Sequence, residues 1–190
     1  MAPKSKISKQ DILTASIDIR RMQGVDALNA RTLATHMGCS TQPIFSNYTS
    51  MEELKLDVAK KAHDLYLEYI RTEVDKKQYP EYKAMGMAYI RFAREERELF
   101  KLLFMCERSD DATMLPEQSY NDSVSIILNN NPISLDDANQ FHAKMWIFVH
   151  GIATMMATSF LSLDWDTIST MLSAAYQGFR QYHISEEELK

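Results

Sequence analysis

Apolar residues recur at three- and four-residue spacing along almost the whole chain, and no alternating run suggests a strand. Five glycines and five prolines in 190 residues leave few breaks. The pattern predicts an all-α protein of about nine helices. Helix 1 spans about Ser8 to Gln23, with Ile12, Ala15, Ile19 and Met22 on one face. Ser8 caps it, Asp11 completes a capping box, and Gly24 stops it. Two short helices follow. Asn29 caps the first, whose Leu33, Ala34 and Met37 share a face until Gly38 breaks it. Cys39-Ser40 makes a tight turn, and Ser40 caps the second, which runs to about Tyr48. Ser50, with Glu53 as capping-box partner, opens helix 4, which runs through Leu54, Val58, Ala62, Leu65 and Tyr69 to about Lys77.

Pro80 suits the first turn of helix 5, which ends near the charged run 94–98. Helix 6 covers 98–105, and residues 107–115 read as a polar loop. Pro116 opens helix 7, which closes at Asn129 to Pro132. Ser134 and Asp137 start a long helix 8 reaching Leu163. Asp164 or Asp166 starts helix 9, which ends near His183 before a frayed tail, 185–190.

Helix 8 is apolar all round. Phe141, Met145, Phe148, Ile152 and Met155 form one stripe; Trp146, Val149, Ala153, Ala157 and Phe160 form another. A helix without a polar face is covered on both sides. One side packs the core. The other meets a second copy, beside Ile168, Leu172, Ala175 and Phe179 of helix 9, or else the helix is the centre of a monomer. The dimer-interface expectation is therefore Phe141, Met145, Val149, Ala153, Ala157, Phe160, Ile168, Leu172, Ala175 and Phe179.

Composition narrows the class. An apolar fraction of 45% supports a core. The richest stretch, Trp146 to Leu163, is interrupted by His150, Thr154, Thr158, Ser159 and Ser162, so no membrane partner is expected. No secretory signal is visible, and Cys39 and Cys106 lack metal-type spacing. They read as reduced thiols in a cytoplasmic protein, with no metal and no cofactor expected. The net charge of −5 hides an asymmetry. Residues 1–61 hold nine basic and six acidic residues, +3; residues 62–190 hold twelve and twenty, −8. A nucleic-acid-facing end and a differently engaged body fit that split.

The chemistry that suits the basic end lies in Asn29–Tyr48. Two short helices joined by a Gly-containing turn have the spacing of a helix-turn-helix, whose second helix enters the major groove. Its opening residues Thr41, Gln42 and Pro43 would meet base edges. Gln42 can pair with adenine N6 and N7, and Phe45 offers an apolar face to a thymine methyl. Ser40, Ser46, Asn47 and Tyr48 are further candidates, though Ile44 and Tyr48 suit the small core beneath. Arg31 and Lys55 would flank the groove, and Lys4, Lys6 and Lys9 would reach phosphates from a basic arm, 1–6.

Residues 8–58 resemble the DNA-binding domain of the tetracycline-repressor (TetR) family of bacterial regulators. The resemblance rests on Ile12-Leu13, Ala15, Ile19 and Gly24, on Asn29-Ala30-Arg31 and Leu33-Ala34, on Gly38-Cys39-Ser40 where the family has Gly-Val-Ser, and on Ile44-Phe45, Tyr48 and Glu53-Leu54. Trp146 and His150-Gly151 resemble a Trp…His-Gly motif of some family C-terminal domains. Met51 departs from the family's usual Lys, Phe45 from its Tyr, and Ser46-Asn47 from its frequent His, so backbone anchoring here differs from the usual pattern.

The resemblance implies a DNA-binding domain at 1–55, and an effector-binding and dimerisation domain at 56–190. It implies a homodimeric, non-enzymatic repressor of double-stranded operator DNA, released by a small-molecule effector, with helix 4 as the lever. Tyr66, Met85, Tyr89, Phe92, Phe104, Met145, Phe148 and His150 are pocket candidates, each with ordinary core packing as its alternative; His63 and His142 read as surface or interface residues. The rival functions are an enzyme, for which no nucleophile-base pair or phosphate loop is evident, and a helical dimer with little specific DNA binding.

Overall fold

A computed structural model describes residues 7–105 and 117–188. Among them every regular element is helical: α1 Lys9–Gln23, α2 Ala30–His36, α3 Gln42–Asn47, α4 Met51–Asp75, α5 Glu81–Glu95, α6 Arg97–Phe104, α7 Glu117–Asn130, α8 Leu135–Ala157 and α9 Trp165–Glu188. A 3₁₀ turn, Val25–Ala27, separates α1 from α2. The expected arm 1–6 with Lys4 and Lys6, the loop 107–115, Cys106, Pro116 and the last two residues of the tail lie outside the described residues.

Local signals set most ends. Ser8 Oγ accepts the Asp11 amide at 3.1 Å while the Ser8 amide donates to Asp11 Oδ2 at 2.9 Å, the reciprocal box that fixes the start of α1. Gly24 ends it at φ +89. That conformation favours glycine, and Glu98 Oε2 lies 3.2 Å from where a Cβ would sit, so a larger residue would also displace the end of that side chain. Asn29 Oδ1 accepts two amides of α2, from Arg31 and Thr32.

Four boundaries differ from the sequence expectation. Thr41, not Ser40, holds the N-cap position of α3: its carbonyl accepts from the Ile44 and Phe45 amides, and its hydroxyl makes no capping bond. At α4 the Ser50 hydroxyl caps as expected, but Glu53 reaches one residue further back, to the Thr49 amide at 2.7 Å. Helix α8 stops at Ala157, six residues early. The Thr158 hydroxyl bonds back to the Thr154 carbonyl, Ser159 turns to φ +58, and the Phe160 and Leu161 amides share the Met155 carbonyl. Helix α9, conversely, continues past His183 to Glu188.

The chain divides into two compact units, residues 1–65 with 96–106, and residues 66–95 with 107–190. The boundary falls inside the continuous helix α4. In the first unit, α1 packs against α2, α3 and α6. Its core contains Ile12, Ile19, Leu33, Ile44, Leu54, Val58, Leu99 and Phe100, all fully buried. Arg21 grips Glu96 through two bonds of 2.8 and 2.7 Å, fixing the start of α6 to α1.

In the second unit α8 is central, touching α5, α7 and α9. Phe141, Met145, Val149, Ile152, Ala153, Met156 and Ala157 are buried there within one chain. Each large side chain among them contributes about 1.5–3 kcal/mol by leaving water. No helix among the described residues is long and apolar enough to cross a membrane.

Candidate nucleic-acid interface

Helix α3 has two dissimilar sides. Ile44 is fully buried and Tyr48, just past its end, is 2% exposed, so this side roots the helix in the first unit's core. Around the rest of the segment Thr41, Gln42, Phe45 and Ser46 are exposed. Phe45 is 51% exposed, an apolar ring half in water. That side presents an amide, a hydroxyl and an apolar ring within one turn, the functional groups that read adenine edges and thymine methyls. Ser40, Arg31 and Lys55 are exposed as well, and Pro43 is half-buried.

Three sequence candidates also bond within the chain: exposed Lys9, half-buried Asn47 and buried Tyr48. Asn47 donates through Nδ2 to the Pro43 carbonyl at 2.8 Å and the Ile7 carbonyl at 3.4 Å. Lys9 Nζ lies 2.9 Å from Asp57, 3.6 Å from Glu53 and 4.5 Å above the Tyr48 ring. Hydrogen bonding from Asp57 raises the Lys9 pKa, and the same bond lowers that of Asp57. The Tyr48 hydroxyl is buried beside the Asp57 carboxylate, and burial, together with that carboxylate's charge, raises its pKa.

The pocket candidates fall apart by unit. Tyr66, Met85, Tyr89, Phe92, Met145, Phe148 and His150 belong to the second unit, Phe104 to the first, where it lies 5.1 Å from Phe100. Four of the second-unit residues meet. The Tyr66 ring is 5.8 Å from Tyr89 and 5.5 Å from Phe92, both edge-on, and the Tyr89 hydroxyl is 2.8 Å from His150 Nδ1. Trp146 stacks on His150 at 5.0 Å. Desolvation lowers the His150 pKa and raises those of Tyr66 and Tyr89. Met85 and Phe148 are half-buried on α5 and α8.

Sequence reasoning missed two further polar groups. His142, expected at the surface or an interface, is half-buried, with Nδ1 2.9 Å from the Tyr82 hydroxyl. Fully buried His183 joins α9 to α8, with Nδ1 3.2 Å from Asp137 and Nε2 3.1 Å from Lys144 Nζ. Such pairs are invisible in one dimension, because their partners lie tens of residues away. No cluster of three or more potential metal ligands occurs among the described residues.

Of the interface candidates, Phe141, Met145, Val149, Ala153, Ala157, Ile168 and Leu172 are buried by their own chain. Phe160 is 82% exposed, and Ala175 and Phe179 are half-buried. The exposed stripe of α8 is instead Ala143, Ile147 and Thr158, with half-buried Gly151 and Thr154 between and Trp146 and Met155 at its flanks.

A family model, tetracyclin repressor-like, C-terminal domain, matches residues 82–176, half of the chain. The chain belongs to the TetR family. The matched stretch holds Trp146, His150 and Gly151, the residues that carried the C-terminal resemblance. The fold agrees. A solved structure of a TetR family protein from Vibrio parahaemolyticus superposes with a TM-score of 0.58 at 16% identity, covering 88% of this chain and 95% of that one. No curated protein matches the chain. The TetR family assignment joins the matched C-terminal stretch to the N-terminal helix pair in one plan: a small helical unit carrying α3, and a larger helical unit built around α8.

Proposed function

We propose that this TetR-family protein is a ligand-responsive bacterial transcriptional regulator. It acts in the cytoplasm as a homodimeric repressor of a palindromic operator and is released by a small-molecule effector. The observation that carries this reading is the two-sided α3, buried through Ile44 and Tyr48 and presenting Thr41, Gln42 and Phe45 to solvent. The first unit would read DNA and the second would dimerise and hold the effector. No catalytic role is proposed.

A second copy is supported by the exposed stripe on α8. Ile147 is 65% exposed, Met155 42% and Trp146 38%, and no charged residue occurs between Lys144 and Asp164. On α9 the small residues Ala174 and Gly178 and the larger Tyr182 are exposed as well. Apolar patches with small residues are where helices of two subunits approach closely. The effector would occupy the surroundings of Tyr66, Tyr89, Phe92 and His150, an aromatic interior with a hydroxyl and an imidazole as polar handles. It releases DNA only by as much as it prefers the non-binding conformer. Helix α4, continuous from one unit into the next, is the covalent route for that preference.

Gln42→Ala tests the base-reading assignment. Operator binding, measured by gel shift, should weaken by about 1–3 kcal/mol while scrambled DNA loses little. Equal weakening on both duplexes would show that Gln42 reads no base.

A further inference from the structure

The polar network beneath α3 contains three residues expected at DNA, Lys9, Asn47 and Tyr48, and its geometry gives Lys9 a different task. Lys9 sits in the first turn of α1, Tyr48 directly after α3, and Glu53 and Asp57 in the first two turns of α4. All four meet at one ammonium: 2.9 Å to Asp57, 3.6 Å to Glu53 and 4.5 Å to the Tyr48 ring centroid. Asn47, the last residue of α3, adds a second tie by donating to the Ile7 carbonyl just ahead of α1. Glu53 in turn holds the Thr49 amide and hydroxyl at 2.7 and 2.8 Å, fixing the short link from α3 to α4. Lys60 lies 3.8 Å from Asp57, so the two lysines and two carboxylates of the cluster cancel in charge. A neutralised cluster offers little attraction to a phosphate.

We propose that Lys9 and Asp57 form a clamp across α1, α3 and α4 that sets the orientation of the recognition helix, Lys9 being a positioning residue rather than a phosphate contact. The inference rests on the DNA-reading role proposed above. A base-reading helix must hold its side chains to within a fraction of an ångström of their hydrogen-bonding geometry. Helix α3 is only six residues long and cannot hold itself. Its buried side is secured by Ile44 and Tyr48, and the clamp fixes its far end against rotation about that contact. Lys9 acts on both, through the Tyr48 ring and through Asp57.

The test compares fluorescence-anisotropy affinities for the protein's selected operator and a scrambled duplex over a series of salt concentrations. The full-length variants are Lys9→Met, Asp57→Asn, and the exchanged pair Lys9→Asp with Asp57→Lys. Each single variant is expected to weaken operator binding by about three- to tenfold, more than it weakens the scrambled duplex. The salt slope should stay at the wild-type value, and the exchanged pair should recover only part of the lost discrimination, because it restores the ion pair but not the cation over the Tyr48 ring or beside Glu53. Lys9→Arg, which keeps the charge, serves as the conservative rescue and as the readout should Lys9→Met fail to fold. The proposal is overturned if Lys9→Met lowers the salt slope by about one and weakens both duplexes alike, the behaviour of a lost phosphate contact. It is also overturned if Asp57→Asn tightens binding by releasing Lys9. A wild type that never discriminates between the duplexes would instead overturn the DNA-reading role itself, and the clamp's purpose with it.

Discussion

Ile147→Glu is expected to turn the proposed dimer into a monomer and to weaken operator binding by about a hundredfold or more, because each monomer then holds one half-site without the avidity of two. Ile147 is 65% exposed at the middle of the α8 stripe, with Gly151 and Ala143 one turn away on either side. In a two-fold interface the same patch faces itself, so one substitution places two carboxylates near each other in an apolar contact. Burying an unpaired charge costs several kcal/mol, enough to undo a small interface. In the single chain the site is at the surface, and such substitutions change stability by within about 0.5 kcal/mol. Light scattering should therefore show half the mass while the melting temperature is nearly kept. A retained dimer would remove the α8 stripe from the interface. Ala157→Glu would not make this distinction: Ala157 is 2% exposed in its own chain, and a charge there attacks the fold.

Acid should destabilise the protein well before its carboxylates titrate. Burial pulls the His142 pKa from 6.5 down to about 4, while the Tyr82 hydroxyl bonds its Nδ1 and Tyr120 lies edge-on at 4.8 Å. The folded value lies below the unfolded one, so between the two the unfolded chain holds the extra proton. Stability then falls as pH falls through that window, by up to about 3 kcal/mol between pH 6.5 and 4. His63 and His150, also lowered by burial, act in the same direction. Chemical denaturation at half-unit pH steps should show this slope, and His142→Gln should flatten it. An unchanged slope in that variant would place the effect elsewhere.

The elements that the sequence predicts well are those with local causes. Ser8 with Asp11, Asn29, Gly24 and Ser134 act on amides within four residues, so their caps can be read in one dimension. The exposed side of α3 follows from the same short range, since Ile44 and Tyr48 lie one turn apart and are buried while Gln42 and Phe45 are exposed. The phase of α8 does not. With apolar residues all round, its periodicity shows that two sides are covered without showing which side the chain itself covers. The buried stripe proves to run through Phe141, Met145, Val149, Ile152 and Met156, drawing from both expected stripes. Long-range polar contacts are equally hidden. Lys9 reads as a basic residue beside a basic arm until folding brings Asp57 to it. Phe104 reads as a pocket aromatic until α6 takes its place in the unit that carries α3.

The central claim is that α3 reads a palindromic operator as one half of a dimer. The most direct measurement is selection of binding fragments from a random-sequence DNA pool by the purified full-length protein, followed by footprinting on the selected site. The account predicts an inverted repeat with two protected major-groove segments about 34–36 Å apart, or a multiple of that spacing. Recovery of no common sequence, with protection spread evenly along the duplex, would contradict it.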